Sequence, residues 1–104
     1  SHQVTGFHGG SVLLPCSSTE QLKLQDITVF WRHNDSIMVF DIINGIGLAA
    51  EQYKNRVEPF QTEYLRGNYS IKLNKLQQSD AGEFSCLISH SDEPQIVQLT
   101  IEGV

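Results

Sequence analysis

Apolar and polar residues alternate along this chain in short runs, and clusters of Gly, Asn, Asp and Ser separate the runs. A period of two is what a strand with one buried face produces, and helix-type spacing is scarce. Ser11-Val12-Leu13-Leu14-Pro15-Cys16 follows a glycine kink at Gly9-Gly10. Ile27 to Arg32 alternates and ends in the polar cluster His33-Asn34-Asp35-Ser36. Ile37 to Ile43 is apolar apart from Asp41, and Asn44-Gly45 after it predicts a tight hairpin turn, because both residues accept positive φ. Tyr53 to Gln61 predicts a weaker strand. In Asn68 to Leu73, Tyr69, Ile71 and Leu73 share one face while Asn68, Ser70 and Lys72 share the other. Leu76 to Ala81 predicts a turn, and Gly82–Ser89 and Gln95–Glu102 predict the last two strands. The count is about nine strands, at the turn spacing typical of all-β sandwiches and barrels.

Bulk properties narrow this picture. At 104 residues the chain has room for one domain, residues 1–104, with a single modest core. A net charge of −5 argues against nucleic acid and against an anionic membrane surface as partners. The only two cysteines, Cys16 and Cys86, make no CxxC metal or redox motif. They are either two buried thiols or one bridge, and the strand-like context of each favours the bridge. A persistent bridge requires an oxidising compartment. No apolar run approaches the length of a membrane span and no signal peptide is seen; the chain starts within a residue or two of its first predicted strand and stops just after its last, so it reads as a domain cut from a longer protein, anchored or not.

The sole tryptophan, Trp31, lies between the cysteines, and Asp80-Ala81-Gly82-Glu83-Phe84-Ser85 leads into Cys86. This frame resembles the immunoglobulin sandwich, and two extra strands between Trp31 and Arg56 make it the nine-stranded variable type. Gly10-Ser11-Val12, Leu14-Pro15-Cys16, Phe30-Trp31, Asn55-Arg56-Val57, Leu76 and Asp80-Ala81-Gly82 carry the same resemblance over nearly the whole chain. It implies an all-β, two-sheet antiparallel sandwich in which a Cys16–Cys86 disulfide joins the sheets across Trp31, worth about 4 kcal/mol by loop-closure entropy. It also implies an Arg56–Asp80 salt bridge at one end. Phe84 departs from the family's usual tyrosine, so the hydroxyl bond that closes that corner cannot form here. Tyr53-Lys54-Asn55-Arg56 and Tyr64-Leu65-Arg66-Gly67-Asn68-Tyr69-Ser70-Ile71-Lys72-Leu73 resemble, more narrowly, the N-terminal V domains of T-cell costimulatory ligands and butyrophilins. The last strand lacks the Phe-Gly-x-Gly of rearranged antigen receptors.

Counting parity from the inward Cys16, Trp31 and Cys86 buries Val12, Leu14, Val29, Phe84 and Ile88. It turns Phe30, Arg32, Ser85, Leu87 and Ser89 outward on one sheet; a slip of one residue would reverse every assignment. Val39 is also outward if Asp41 is, since a lone Asp is costly to bury. Phe30, Leu87 and Val39 thus predict an apolar strip for protein contact, rimmed by Arg32, Asp41, Ser85 and Ser89, with the loop Ser89 to Gln95 as a second contact.

Catalytic or metal chemistry finds no support. His2, His8, His33 and His90 fall on loops or near the start, without ligand spacing; His90 near Asp92 and Glu93 reads as a solvated loop. No serine has a base at a recognisable spacing. The expectation is no enzyme, no cofactor and no small-molecule substrate. Asn34-Asp35-Ser36 and Asn68-Tyr69-Ser70 are sequons, so Asn34 and Asn68 are candidate glycosylation sites in a secreted context. The functional expectation is the extracellular recognition domain of a single-pass cell-surface immune regulator, binding a protein receptor on another cell. The alternatives are a homophilic adhesion domain of the junctional type, forming a homodimer, and the ectodomain of an innate immune receptor.

Overall fold

A computed structural model describes residues 1–103. Among them are nine strands: β1 (His2–Phe7), β2 (Val12–Leu14), β3 (Val29–His33), β4 (Ile37–Ile43), β5 (Ile46–Ala49), β6 (Val57–Pro59), β7 (Ile71–Leu73), β8 (Gly82–Ile88) and β9 (Gln95–Glu102). They form a six-stranded sheet in the order β1-β9-β8-β3-β4-β5 and a three-stranded sheet in the order β2-β7-β6. All pairings are antiparallel except that of β1, which runs parallel to β9. Two further stretches read as strand are shorter than expected. Asn68 makes only an isolated bridge with Ser17 before β7 begins, and β6 lies between 3-10 helices of one turn at Glu51–Tyr53 and two turns at Gln61–Arg66.

The two tight hairpins follow from residues that tolerate the left-handed region. Asn34 and Asp35, at φ 50° and 72°, turn β3 into β4; Asn44 and Gly45, at φ 53° and 80°, turn β4 into β5. Between the sheets lies one core built on Leu14, Val29, Trp31, Ile42, Tyr69, Ile71, Leu73, Phe84 and Val97, all fully buried. The Trp31 indole N–H donates to the Tyr69 carbonyl across the sandwich at 3.0 Å. Cys16 and Cys86 are bonded, linking the end of β2 to the middle of β8. Val12 is partly buried against this core, while Leu14, Val29, Phe84 and Ile88 are buried in it.

Val39 corrects the expected strip: it is completely buried, not outward. Its strand contains a β-bulge. Trp31 pairs with Phe40, yet Arg32 pairs with Met38, so β4 spends one residue more than β3 at that point. Val39 is the extra residue, and the period-two count fails there. Asp41 lies beyond the bulge, opposite the outward Phe30, so the two residues do not share the orientation that parity gave them.

Candidate functional site: the outer face of the six-stranded sheet

The register builds this face row by row. Phe30 on β3 lies between Leu87 on β8 and Asp41 on β4, and Asp41 in turn pairs with Leu48 on the edge strand β5. Toward the β4–β5 turn, Ile43 pairs with Ile46. In the other direction Arg32 lies between Ser85 and Met38. Ile46, Leu48, Ile43 and Leu87 are 73%, 59%, 46% and 38% exposed, and Phe30 is half-buried between them. The apolar area is therefore centred one strand further toward β5 than the sequence reading placed it.

Sequence reasoning missed Ile43, Ile46 and Leu48, although a signal was there. A two-residue turn at Asn44-Gly45 pairs the residues on either side of it, so Ile43 must face Ile46 and Asp41 must face Leu48.

One ion pair sits inside the apolar rows. Arg32 Nη1 donates to Asp41 Oδ1 at 2.6 Å, and the guanidinium carbon lies 5.3 Å from the centre of the Phe30 ring. Asp41 is buried on the outer face because Arg32 covers and neutralises it; it is not the solvated rim residue that was expected. Ser85 is likewise on this face but buried, while Ser89 is exposed just past β8. The face is thus apolar and locally neutral on a chain of net charge −5.

The immunoglobulin V-set domain model matches residues 1–102. The chain belongs to the immunoglobulin V-set family. Its relatives include the CD276 antigen homolog of Xenopus laevis, 28% identical over 91 residues and covering 83% of this chain and 30% of that protein. The CXADR-like membrane protein of Xenopus tropicalis is 30% identical over 96 residues, covering 88% of this chain and 29% of its own length. The T-lymphocyte activation antigen CD86 of Mus musculus is 23% identical over 90 residues, 85% of this chain and 28% of that protein. This V-set chain therefore spans less than a third of the length of these curated relatives. The crystal structure of the human B7-H4 IgV-like domain superposes with a TM-score of 0.82 at 24% identity, over 93% of this chain and 90% of that one.

The end of the V-set sandwich below the outer face contains the family's ion pair. Arg56 lies against Asp80, and Asp80 also accepts the Gln77 N–H at 2.8 Å. The departure at Phe84 is filled from another strand. His33, read from sequence as a loop residue, is the buried last residue of β3 and stacks on Phe84 with ring centres 4.3 Å apart. Two positions from Trp31, it shares the inward parity. The Ala81 carbonyl can only accept, so His33 Nε2–H donates to it at 3.1 Å, and Nδ1 accepts from the Tyr53 hydroxyl at 3.3 Å. A histidine and a tyrosine from two other elements thus supply a side-chain bond to backbone at the corner where Phe84 has none. Burial pushes the Tyr53 hydroxyl up; Asp80 adds to the rise and Arg56 opposes it.

The remaining candidates are separate from the outer face. His90 lies 3.4 Å from Glu20, not against Asp92 or Glu93. Among the described residues no three of His, Cys, Asp and Glu come together as a metal-binding group, and no helix is long and apolar enough to cross a membrane. Asn34 is exposed in the β3–β4 turn, where its Oδ1 accepts the Glu83 N–H at 3.1 Å. Asn68 is half-buried ahead of β7, and its Oδ1 accepts the Ser70 N–H at 3.1 Å.

Proposed function

We propose that this V-set chain is an extracellular recognition domain of a cell-surface immune regulator, and that it binds a protein receptor on another cell through the outer face of the six-stranded sheet. Its work is contact without chemistry. The observation that carries the reading is the row Leu48–Asp41–Phe30–Leu87, with Ile43 and Ile46 beside it: exposed apolar side chains on four neighbouring strands, their one ion pair internally satisfied. Scattered surface apolars are ordinary, whereas a contiguous patch is the mark of a contact surface. The relatives support the immune assignment, since one is named a T-lymphocyte activation antigen. Membrane anchorage would be supplied by the parent protein. Glycans on Asn34 and Asn68 would leave this patch uncovered, since neither residue belongs to its rows.

In this reading Phe30, Leu48 and Leu87 make the central contacts, Arg32 and Asp41 orient the partner, and Ser89 lies at the margin. Phe30→Ala, Leu48→Ala and Leu87→Ala should each weaken staining of activated T lymphocytes by about tenfold or more, at a stability cost under about 1 kcal/mol. Full staining by all three variants sinks the proposed face.

A second reading, homophilic adhesion, is favoured by the 30% identity to the CXADR-like membrane protein. Phe30→Glu discriminates. A dimer of the wild-type chain in sedimentation that this variant abolishes favours adhesion through this face; a dimer that survives it, or a monomer, counts against adhesion through this face.

A further inference from the structure

The sheets of this sandwich end in four strands, two of them guarded and a third lined with polar side chains. β1 carries His2, Gln3 and Thr5; β2 is three residues long and is followed at once by Pro15; β6 contains Glu58 and ends in Pro59. Short length, proline and charge are the usual defences of a sheet edge against pairing with another chain. The fourth, β5, is short but carries neither proline nor charge, and its side chains are all apolar. It reads Ile46-Gly47-Leu48-Ala49, and no charged residue occurs anywhere from 42 to 50.

The hydrogen-bond parity of β5 shows what that edge offers. Ile43 and Ile46 flank the two-residue turn and bond to each other, and the Ala50 N–H reaches the Val39 carbonyl at 2.9 Å. Bonded positions on β5 are therefore 46, 48 and 50, facing β4. The N–H and C=O groups of Gly47 and Ala49 point away from the sheet, unpaired among the described residues. The side chains that flank this open ladder on the outer face, Ile46 and Leu48, are the two most exposed of the apolar rows.

We propose that β5 is a self-association edge, where a second copy of this chain adds its own β5 antiparallel and joins two six-stranded sheets into one. The edge is self-complementary. Setting Leu48 opposite Leu48 across a two-fold axis matches Gly47 of each copy with Ala49 of the other, and each such pair exchanges both of its backbone bonds. Leu48 packs on its own counterpart on the outer face. The charges are compatible as well: a chain of net charge −5 ordinarily repels its copy, but nothing charged lies along this seam, and Asp41 behind it is neutralised by Arg32. A four-residue strand with two large side chains buries less than the roughly 1,200 Å² at which stable interfaces begin, so the dimer is of the transient class, detectable at about 1 mM and absent at about 10 μM. Such an edge suits molecules held together on one surface. It is distinct from the receptor contact proposed above, although Leu48 belongs to both.

The test uses the 104-residue chain in a dilution series followed by sedimentation and by amide hydrogen exchange. The expected result is a concentration-dependent dimer, with the Gly47 and Ala49 amides gaining protection as concentration rises. Leu48→Lys should abolish both signals, while Leu87→Ala, which the receptor reading needs for binding, leaves them intact. A monomer at about 1 mM overturns the proposal, as does a dimer that survives Leu48→Lys. A dimer whose protection leaves Gly47 and Ala49 unchanged, or one lost in Leu87→Ala, points to face-to-face association and overturns it too. None of these outcomes decides receptor binding, which the staining experiment reads separately.

Discussion

The inner and outer faces of the six-stranded sheet are made by the same strands, residue by alternate residue, yet they obey different rules. On the inner face Val29, Trp31, Ile42, Cys86 and Val97 are fully buried, and even the polar residue there, His33, is stacked and bonded on both ring nitrogens. On the outer face Phe30, Leu48, Ile43, Ile46 and Leu87 are equally apolar but touch water. Hydrophobicity alone therefore does not separate the faces; the partner each one has does. The inner face has its partner in the three-stranded sheet, and the proposed function gives the outer face a receptor. Substitutions on the two faces then have opposite signatures: stability without recognition inside, recognition without stability outside.

The sharpest break of this comparison uses neighbours in sequence. Trp31→Ala should cost about 4 kcal/mol, because it empties the middle of the core and removes the indole bond to the Tyr69 carbonyl. For a domain of this size that leaves little net stability. Phe30→Ala, one residue away, should cost under about 1 kcal/mol. Urea unfolding of the two variants measures the gap. Similar losses would mean that Phe30 belongs to the core and that the faces are misassigned.

A smaller effect tests the bulge. Val39→Ala should cost about 2 kcal/mol, since Val39 is wholly buried, and Leu48→Ala about 0–0.5 kcal/mol despite the larger group removed. The order reverses if β4 keeps a regular register and Val39 faces solvent. Urea midpoints of the pair, compared with the wild-type chain, decide between the two.

This pair also marks where the sequence stopped being informative. An apolar run bounded by turn residues made β4 legible to the residue and alternation did the same for β9, while Cys16, Trp31 and Cys86 set a parity that predicted the burial of Leu14, Val29, Phe84 and Ile88. A bulge has no composition signature, so one inserted residue turned Val39 inward unannounced. The burial of Asp41 was invisible for a different reason: its cost is met by Arg32, nine positions away, which only the β3–β4 pairing brings alongside. Ile43, Ile46, Leu48 and His33, by contrast, were within reach. The register of the Asn44-Gly45 turn assigns the first three, and the parity of Trp31 assigns the last.

The smallest expected effect concerns an imperfection in the core against which the inner face packs. The Tyr64 and Tyr69 hydroxyls are buried with no hydrogen-bond partner, unlike every polar atom of His33. An orphaned hydroxyl costs desolvation and returns nothing, so Tyr64→Phe should leave stability at pH 7 unchanged or raise it by up to about 1 kcal/mol. The pH dependence sharpens this. Burial pushes the Tyr64 hydroxyl up to about 12, above its ordinary value near 10 in the unfolded chain. A group whose folded-state value is raised contributes full stability below the unfolded value and loses it as pH climbs toward the folded one. The wild-type chain should therefore weaken between about pH 10 and pH 12, and Tyr64→Phe should weaken less over that window. Urea midpoints of both proteins at pH 7, 10 and 11.5 carry the test. Identical alkaline losses would show that the Tyr64 hydroxyl is not shielded from water in the folded chain and carries no desolvation cost.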